Sequence, residues 1–233
     1  MMLDVTQYGV EIPSACEQTR FALISDLHDC PSEKVLSALK SLKPQALLIA
    51  GDHMTAFREK PMRGVHFLRE AVKLCPVFYG LGNHEACMTE RDFAQIRSLG
   101  VQLLINDSVR FGSYRIGAIG AIPEKLSEYL AFVKHFSEED GIKMLISHRP
   151  EWYMQHLRQY PIPVIVSGHA HGGQIRLLGR PIFSPGQGLF PRYAQGLHEG
   201  RLVVSRGLGN HTVIPRFWNA PEICMITVNG KSK

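Results

Sequence analysis

The sequence predicts an α/β fold, and two observations lead to it. Apolar, partly β-branched runs alternate with segments whose apolar residues recur at helical spacing. Five of these runs also end alike, in a short polar loop that delivers Asp, Asn or His. The 233 residues, 45% hydrophobic and 20% charged, fit one large domain with a sizeable buried core. A single domain over residues 1–233 is therefore expected, with an irregular N-terminal extension over residues 1–19.

Residues 20–25 read as a buried strand, followed directly by Asp26, Leu27 and His28. Ser32 is placed to cap a helix running to Leu42, in which Val35, Leu36, Leu39 and Leu42 form one apolar stripe. Residues 46–50 form the second strand, ending in Gly51 and Asp52. A helix over residues 61–74 leads to the third strand, residues 77–79, and then to Gly82, Asn83, His84 and Glu85. Thr89 and Asp92 make a capping-box pair that opens a helix with Phe93, Ile96 and Leu99 inward and Gly100 as its stop. Three short runs, 101–104, 108–111 and 114–118, are separated by turn residues and predict an antiparallel meander. Helix returns over residues 123–136, and the strand 143–147 ends at His148 and Arg149. A helix over residues 150–160 precedes the strand 163–166, which stops at Gly168, His169, Ala170, His171, Gly172 and Gly173. Residues 174–178, 201–205 and 222–228 are expected to add strands of a second sheet.

Side chains alternate across an extended segment, so His169 and His171 should share one side, as should Asp26 and His28. Sites in α/β sheets form beyond the carboxyl ends of the strands. Asp26, His28, Asp52, Asn83, His84, His148, His169 and His171 would all reach that edge. Imidazole nitrogens mixed with carboxylate or amide oxygens, and no cysteine, suit Mn²⁺, Fe²⁺ or Zn²⁺ rather than Ca²⁺. The set is too large for one ion. Two ions roughly 3.5–4 Å apart, sharing a carboxylate, would use all of it and clamp a phosphorus centre for in-line attack.

Asp26-x-His28, Gly51-Asp52, Gly82-Asn83-His84-Glu85, His148 and Gly168-His169-x-His171 resemble, in order and spacing, the five motifs of the calcineurin-like metallophosphoesterases. Three later stretches, from Gly186 to Pro191, from Ser205 to Gly209 and from Pro221 to Ile223, resemble the bacterial YaeI/YkuE-type phosphodiesterase branch. The resemblance implies two mixed β-sheets packed face to face with flanking helices, a four-layer αββα sandwich. It implies that Asp26, His28 and His171 hold one divalent ion, that Asn83, His148 and His169 hold the other, and that Asp52 bridges them. A metal-bridging hydroxide would then attack a phosphodiester or pyrophosphate. His84 would lie beside the phosphoryl group, stabilising negative charge and protonating the leaving oxygen. Many relatives carry a second acid three residues after the bridging Asp, and here Thr55 stands there, leaving Asp29 or Glu85 to orient His84.

Other histidines are read otherwise: His53 as core or supporting packing, and His66, His135 and His156 as helix residues. His198 and His211 stay undecided. After the metal histidines, residues 183–193 have no strand or helix period. There Phe190 and Arg192 are candidate substrate-binding residues, forming a lip for the leaving group of a diester, while Leu189, Phe190 and Tyr193 are equally suited to packing beneath the loop.

Composition narrows the partners. A net charge of +5, with no block of like charges, is a poor nucleic-acid footprint. The first twenty residues lack the cationic and apolar segments of a signal peptide, and no run approaches a membrane span. A cytoplasmic protein is expected, acting on a phosphate-ester small molecule or a lipid-linked substrate and leaving room for peripheral membrane contact. The five cysteines show no paired motif and are expected to be reduced thiols; Cys30 and Cys87, close behind two ligand motifs, are read as inert. A phosphomonoesterase or protein phosphatase is the alternative reaction, and a non-catalytic binding module on the same fold the alternative class. The full ligand set favours the enzyme.

Overall fold

Residues 2–55, 62–210 and 215–230 are described by a computed structural model. The chain opens with β1 (Asp4–Glu11), β2 (Thr19–Ile24), α1 (Glu33–Leu42) and β3 (Ala46–Ala50). Next come α2 (Met62–Ala71), β4 (Val77–Gly80), α3 (Glu90–Ser98) and β5 (Gln102–Leu104). The second half continues through β6 (Asp107–Phe111), β7 (Tyr114–Ile119), α4 (Leu126–Glu138), β8 (Ile142–Ser147) and β9 (Val164–Ser167). Two small hairpins follow, β10 (Arg176–Leu177) with β11 (Arg180–Pro181) and β12 (Phe183–Ser184) with β13 (Gly188–Leu189). The chain then forms β14 (Gly196–His198), β15 (Leu202–Val204) and β16 (Glu222–Asn229).

The strands make two six-stranded mixed sheets, ordered β1-β16-β2-β3-β4-β5 and β14-β15-β9-β8-β7-β6. Central strands such as β3 and β9 are buried along their whole length, as continuous apolar runs require when both faces are covered. The period of two sorts their side chains into layers. Leu23, Leu48 and Ala50 of the first sheet meet Ile116, Met144, Ile146 and Val164 of the second in one shared core. Ile24, Leu47 and Ile49 face the other way, beneath Val35 and Leu39 of α1, Phe67 of α2 and Phe93 and Ile96 of α3. Leu145 and Ile165 face outward beneath Val133 and Phe136 of α4. Three apolar layers between four structural layers give the αββα sandwich.

Local chemistry explains the element ends. Thr89 and Asp92 close the capping box, Thr89 N donating to Asp92 Oδ2 at 2.8 Å and Asp92 N to Thr89 Oγ1 at 3.4 Å. Ser32 stands at the N-cap of α1 without a side-chain capping bond.

Several expectations are corrected. The N-terminal stretch is not irregular: β1 is an edge strand, parallel to β16 over Asp4↔Glu222 to Glu11↔Asn229. Its alternation is hard to read because Asp4, Thr6 and Tyr8 take partly buried positions while Val5 faces out. The meander is split between sheets: β5 pairs in parallel with β4, and β6 with β7 as an antiparallel hairpin. Asn106, at φ 49°, turns the chain from one sheet to the other. β16 inserts between β1 and β2 of the first sheet, and the strand at 176–177 belongs to a separate hairpin. The helix expected over 150–160 contains a widened π turn at Tyr153–Leu157. Pro61, the expected start of the second helix, lies outside the described residues.

Candidate metal centre

Strands β2, β3 and β4 of the first sheet and β8 and β9 of the second all end at one rim of the sandwich, where backbone bonds lace their loops together. Asp26 N donates to Gly51 O at 3.0 Å and His28 N to Asp52 O at 3.1 Å, joining the loops after β2 and β3. Gly168 N donates to His148 O at 3.0 Å, joining those after β8 and β9. The sheets are tied to each other by His169 N on the Asp26 carboxylate at 3.1 and 3.2 Å, and by His148 Nδ1 donating to Ala50 O at 2.6 Å. That last bond sends His148 Nε2 toward the rim.

The paired residues do not face together by strand alternation. Asp26, His28, Asp52, His169 and His171 all have left-handed backbones, with φ between 46° and 63°. Residues other than glycine seldom adopt this region, and each instance costs roughly 1–3 kcal/mol. The strands stop where these residues begin, and the turned backbone aims each side chain across the rim. Gly51 (φ 80°) and Gly82 make room: a Cβ on Gly51 would lie 2.6 Å from His148 Nδ1, and one on Gly82 would collide with Asp52 Oδ1.

Among the described residues the side chains gather into three groups whose ligand atoms lie within 4.8 Å of one another: Asp26, His28 and His171; His28, Asp52 and His84; Asp52, His148 and His169. His28 links the first to the second, and Asp52 the second to the third. His28 Nε2 and His171 Nε2 face each other at 3.4 Å, and His148 Nε2 lies 3.2 Å from Asp52 Oδ2. His169 Nε2 and Asn83 Oδ1 are buried without a hydrogen-bond partner among the described residues. Such buried orphans are costly unless something else satisfies them, and together these donors fit divalent cations.

Electrostatics agree with that chemistry. Burial drives His169 well below its ordinary range, and the neighbouring His148 and Arg149 charges add to this. Burial likewise lowers His171, with Arg216 assisting. Both are therefore neutral near pH 7, as metal ligation requires. Burial also opposes charge on His148, but Asp52 outweighs it and pushes the imidazole up to about 10. Asp52 is itself held below the usual carboxylate range: burial works against this, and the His148 charge prevails. The negative potential that retains a proton there is the one that would retain a cation.

Glu85 and Asp29 do not serve as expected. Glu85 is fully buried and accepts bonds from Asp52 N (2.9 Å), Gly82 N (2.7 Å), Met54 N (3.0 Å) and Tyr79 Oη (2.7 Å). It staples the loops after β3 and β4. Asp29 accepts from Thr55 N and Gly64 N, each at 2.9 Å. His53 is a core residue on Phe67 and Tyr79, and burial lowers it to about 4. His66 and His135 are exposed, while His198 Nε2 lies 2.8 Å from Gln195 O beneath Tyr193. His211 lies outside the described residues. Cys30 is half-buried, and Cys87 is exposed with its Sγ donating to His84 O at 3.3 Å.

Two contributors carried no local signal. Arg216 is buried and donates from Nε to Gly209 O at 3.0 Å and from Nη2 to Arg206 O at 2.6 Å, with Nη2 3.4 Å from His171 Nδ1. Burial lowers its pKa to about 10, so it remains a cation beside the cluster. Asn219 Nδ2 donates to His171 O at 2.6 Å, fixing that backbone. The stretch from Ser205 to Gly209 lies against the Asp26 turn, Leu208 N donating to Ser25 O at 3.0 Å and Gly209 N to Asp26 O at 2.6 Å.

The profile of the calcineurin-like phosphoesterases matches residues 19–173, a stretch containing every member of the three groups. The chain belongs to the calcineurin-like phosphoesterases. This phosphoesterase is 30% identical to the UDP-2,3-diacylglucosamine pyrophosphatase LpxG of Chlamydia trachomatis, over 97% of its own length and 89% of that protein. It is 27% identical to the uncharacterized protein YpbG of Bacillus subtilis, over 89% of its length and 80% of that protein. The metallophosphoesterase YkuE of Bacillus subtilis, 30% identical over 65% of the chain and 52% of the relative, is a further match. Among solved structures, TT1561 of Thermus thermophilus aligns with TM-score 0.51 at 12% identity, over 65% of this chain and 82% of that one, a likeness of fold. The phosphoesterase is thus a metal-dependent hydrolase on an αββα sandwich. Among the described residues no helix is long and apolar enough to cross a membrane.

Proposed function

We propose that this phosphoesterase cleaves phosphodiester or pyrophosphate bonds with two divalent ions, Mn²⁺ or Fe, with Zn²⁺ as the alternative. Asp26, His28 and His171 would hold one, Asn83, His148 and His169 the other, and Asp52 would be shared. The observation carrying this reading is the linked chain of three ligand groups, with His169 Nε2 and Asn83 Oδ1 buried beside it and without a hydrogen-bond partner among the described residues. When bound, two such ions lower the pKa of water to give a nucleophile at neutral pH and offset charge on phosphoryl oxygens.

The chain's own residues supply the rest. Asp52 is positioned from two sides, since Oδ1 accepts from His84 N at 2.8 Å and its own amide donates to Glu85. His84 is half-buried, packed edge-on against His28 at 4.7 Å between ring centroids. From there it would stabilise charge on the phosphoryl group and protonate the leaving oxygen. Arg216 adds a fixed positive charge behind His171. Phe190 and Arg192 would grip a leaving group, a second substituent that a monoester lacks. The pyrophosphatase named among the relatives supports a nucleotide- or lipid-linked pyrophosphate as substrate.

The test is metal analysis of freshly purified wild type and Asp52→Asn, with a panel of diesters, monoesters and nucleotide-sugar lipids. Wild type should carry two metals per chain and prefer diesters or pyrophosphates. Asp52→Asn should lose both metals together, because one neutral amide replaces a carboxylate serving two cations. A variant retaining two metals and near wild-type turnover would remove Asp52 from the shared position.

A further inference from the structure

Eight of the twelve large hydrophobic side chains exposed among the described residues fall within residues 175–218: Ile175, Leu177, Leu178, Phe183, Leu189, Phe190, Phe217 and Trp218. Backbone bonds hold their turns side by side. Ile182 N donates to Ile175 O at 3.0 Å, Phe190 N to Ile182 O at 2.8 Å, and Arg176 N to Phe217 O at 3.1 Å. Beneath them an apolar cavity of about 170 Å³ is lined by His171, Gln174, Ile175, Ile182, Phe183 and Pro185. The apolar rim thus borders the metal centre itself.

Three members of this rim have no conformational reason to be where they are. Leu178, Phe190 and Trp218 are 94%, 71% and 73% exposed, and their φ angles are 48°, 53° and 50°. A bulky side chain in the left-handed region is an outlier, and here it gains no core packing in return. Leu178 is the clearest case. With Leu177 paired to Arg180, Leu178 and Gly179 form a two-residue hairpin turn with both φ positive, where Asn-Gly is the favoured pair. A leucine at this tip serves something outside the chain.

Charge points to what that is. From Gln174 to His198 the sequence carries Arg176, Arg180 and Arg192 and no Asp or Glu. Arg176 is buried, bracing its hairpin through Gly172 O and Gly179 O, whereas Arg180 and Arg192 are exposed. Apolar tips flanked by exposed arginines suit a bilayer bearing anionic headgroups. We propose that this rim is a membrane-docking surface: Leu178, Phe190 and Trp218 enter the acyl boundary of an anionic membrane, and the cavity beside His171 opens toward it. The proposal deepens the phosphoesterase reading by placing its substrate in a lipid layer.

The experiment is flotation of the intact protein with phosphatidylcholine vesicles, with and without phosphatidylglycerol, for wild type, Leu178→Asn and Trp218→Asn. Wild type should bind, more strongly with phosphatidylglycerol and less so in high salt. Each substitution should weaken partitioning about tenfold or more, the scale of withdrawing one large apolar side chain. Leu178→Asn should keep or raise the melting temperature, because Asn suits that turn, and should leave hydrolysis of a small soluble diester unchanged. Failure of wild type to float with either vesicle, or equal flotation of both variants, would overturn the docking surface. So would a wild-type dimer that Leu178→Asn dissolves, since the rim would then face a second copy. Flotation needs no catalysis, so a protein that binds vesicles without cleaving any phosphoester would sink the enzymatic reading and spare this one.

Discussion

Left-handed backbone at Asp26, His28, Asp52, His169 and His171 gives the candidate metal centre its form. Each turn is held by bonds from a neighbouring loop, so the strain is sustained by the sandwich rather than by local preference. His84 differs, because its backbone N–H rather than its ring is bonded to Asp52 and its φ is not among the positive ones. Its ring is therefore expected to meet substrate. His84→Ala should lower kcat by about a hundredfold or more, the scale of a general acid or electrostatic stabiliser, while metal content stays at the wild-type level. Metal loss in this variant would make His84 a ligand, as its grouping with His28 and Asp52 permits. The sequence placed Asp26, His28, Asp52, His84, His148, His169 and His171 at one edge, and their side chains do gather there. Glu85, which with Asp29 was one of two candidates to orient His84, instead staples two loops. Nothing in the sequence shows that its carboxylate is spent on three backbone amides and a tyrosine.

Among elements, the segment after the metal histidines separates packing from exposure. Tyr193 is buried against Tyr153 and His198, whereas Leu189 and Phe190 are exposed and Arg192 lies over the Tyr193 ring at 5.4 Å. The sequence offered both fates for these aromatics and could not choose, since a loop without period assigns no inward face. Replacing Phe190 and Arg192 together by Ala should lower kcat/KM more for diesters with bulky apolar leaving groups than for small ones, with metal content and melting temperature unchanged. Equal losses on all substrates would remove both residues from substrate binding. The elements most plainly written were those with a strong signal: β3, continuous and apolar, and α3, opened by its capping box. The three short runs after Gly100 looked like one meander because strand patterns do not record which sheet a strand joins.

At the scale of the whole molecule, the candidate metal centre lies where the sheets end together, so the residues that would hold metal bridge the halves of the sandwich. Asp26, His28 and Asp52 follow strands of the first sheet; His148, His169 and His171 follow strands of the second. Metal binding should then stabilise the fold as a unit. At a free concentration about a hundred times the dissociation constant, linkage contributes about 2.7 kcal/mol, or about 5–10 °C in melting temperature for a chain of this size. Chelation should lower the melting temperature by that amount and Mn²⁺ should restore it, as read by calorimetry. An unchanged transition would mean that the cluster binds no metal tightly enough to matter. The sequence by itself determined the α/β class, the strand–loop–helix order and which Asp, Asn and His residues follow the strand ends, because buried strands and turn chemistry are local properties. Only the tertiary structure decided that β1 is a strand, that β16 returns between β1 and β2, and that Arg216 and Asn219 stand behind His171. Those outcomes depend on pairing and burial between residues far apart in the chain, which no local pattern encodes.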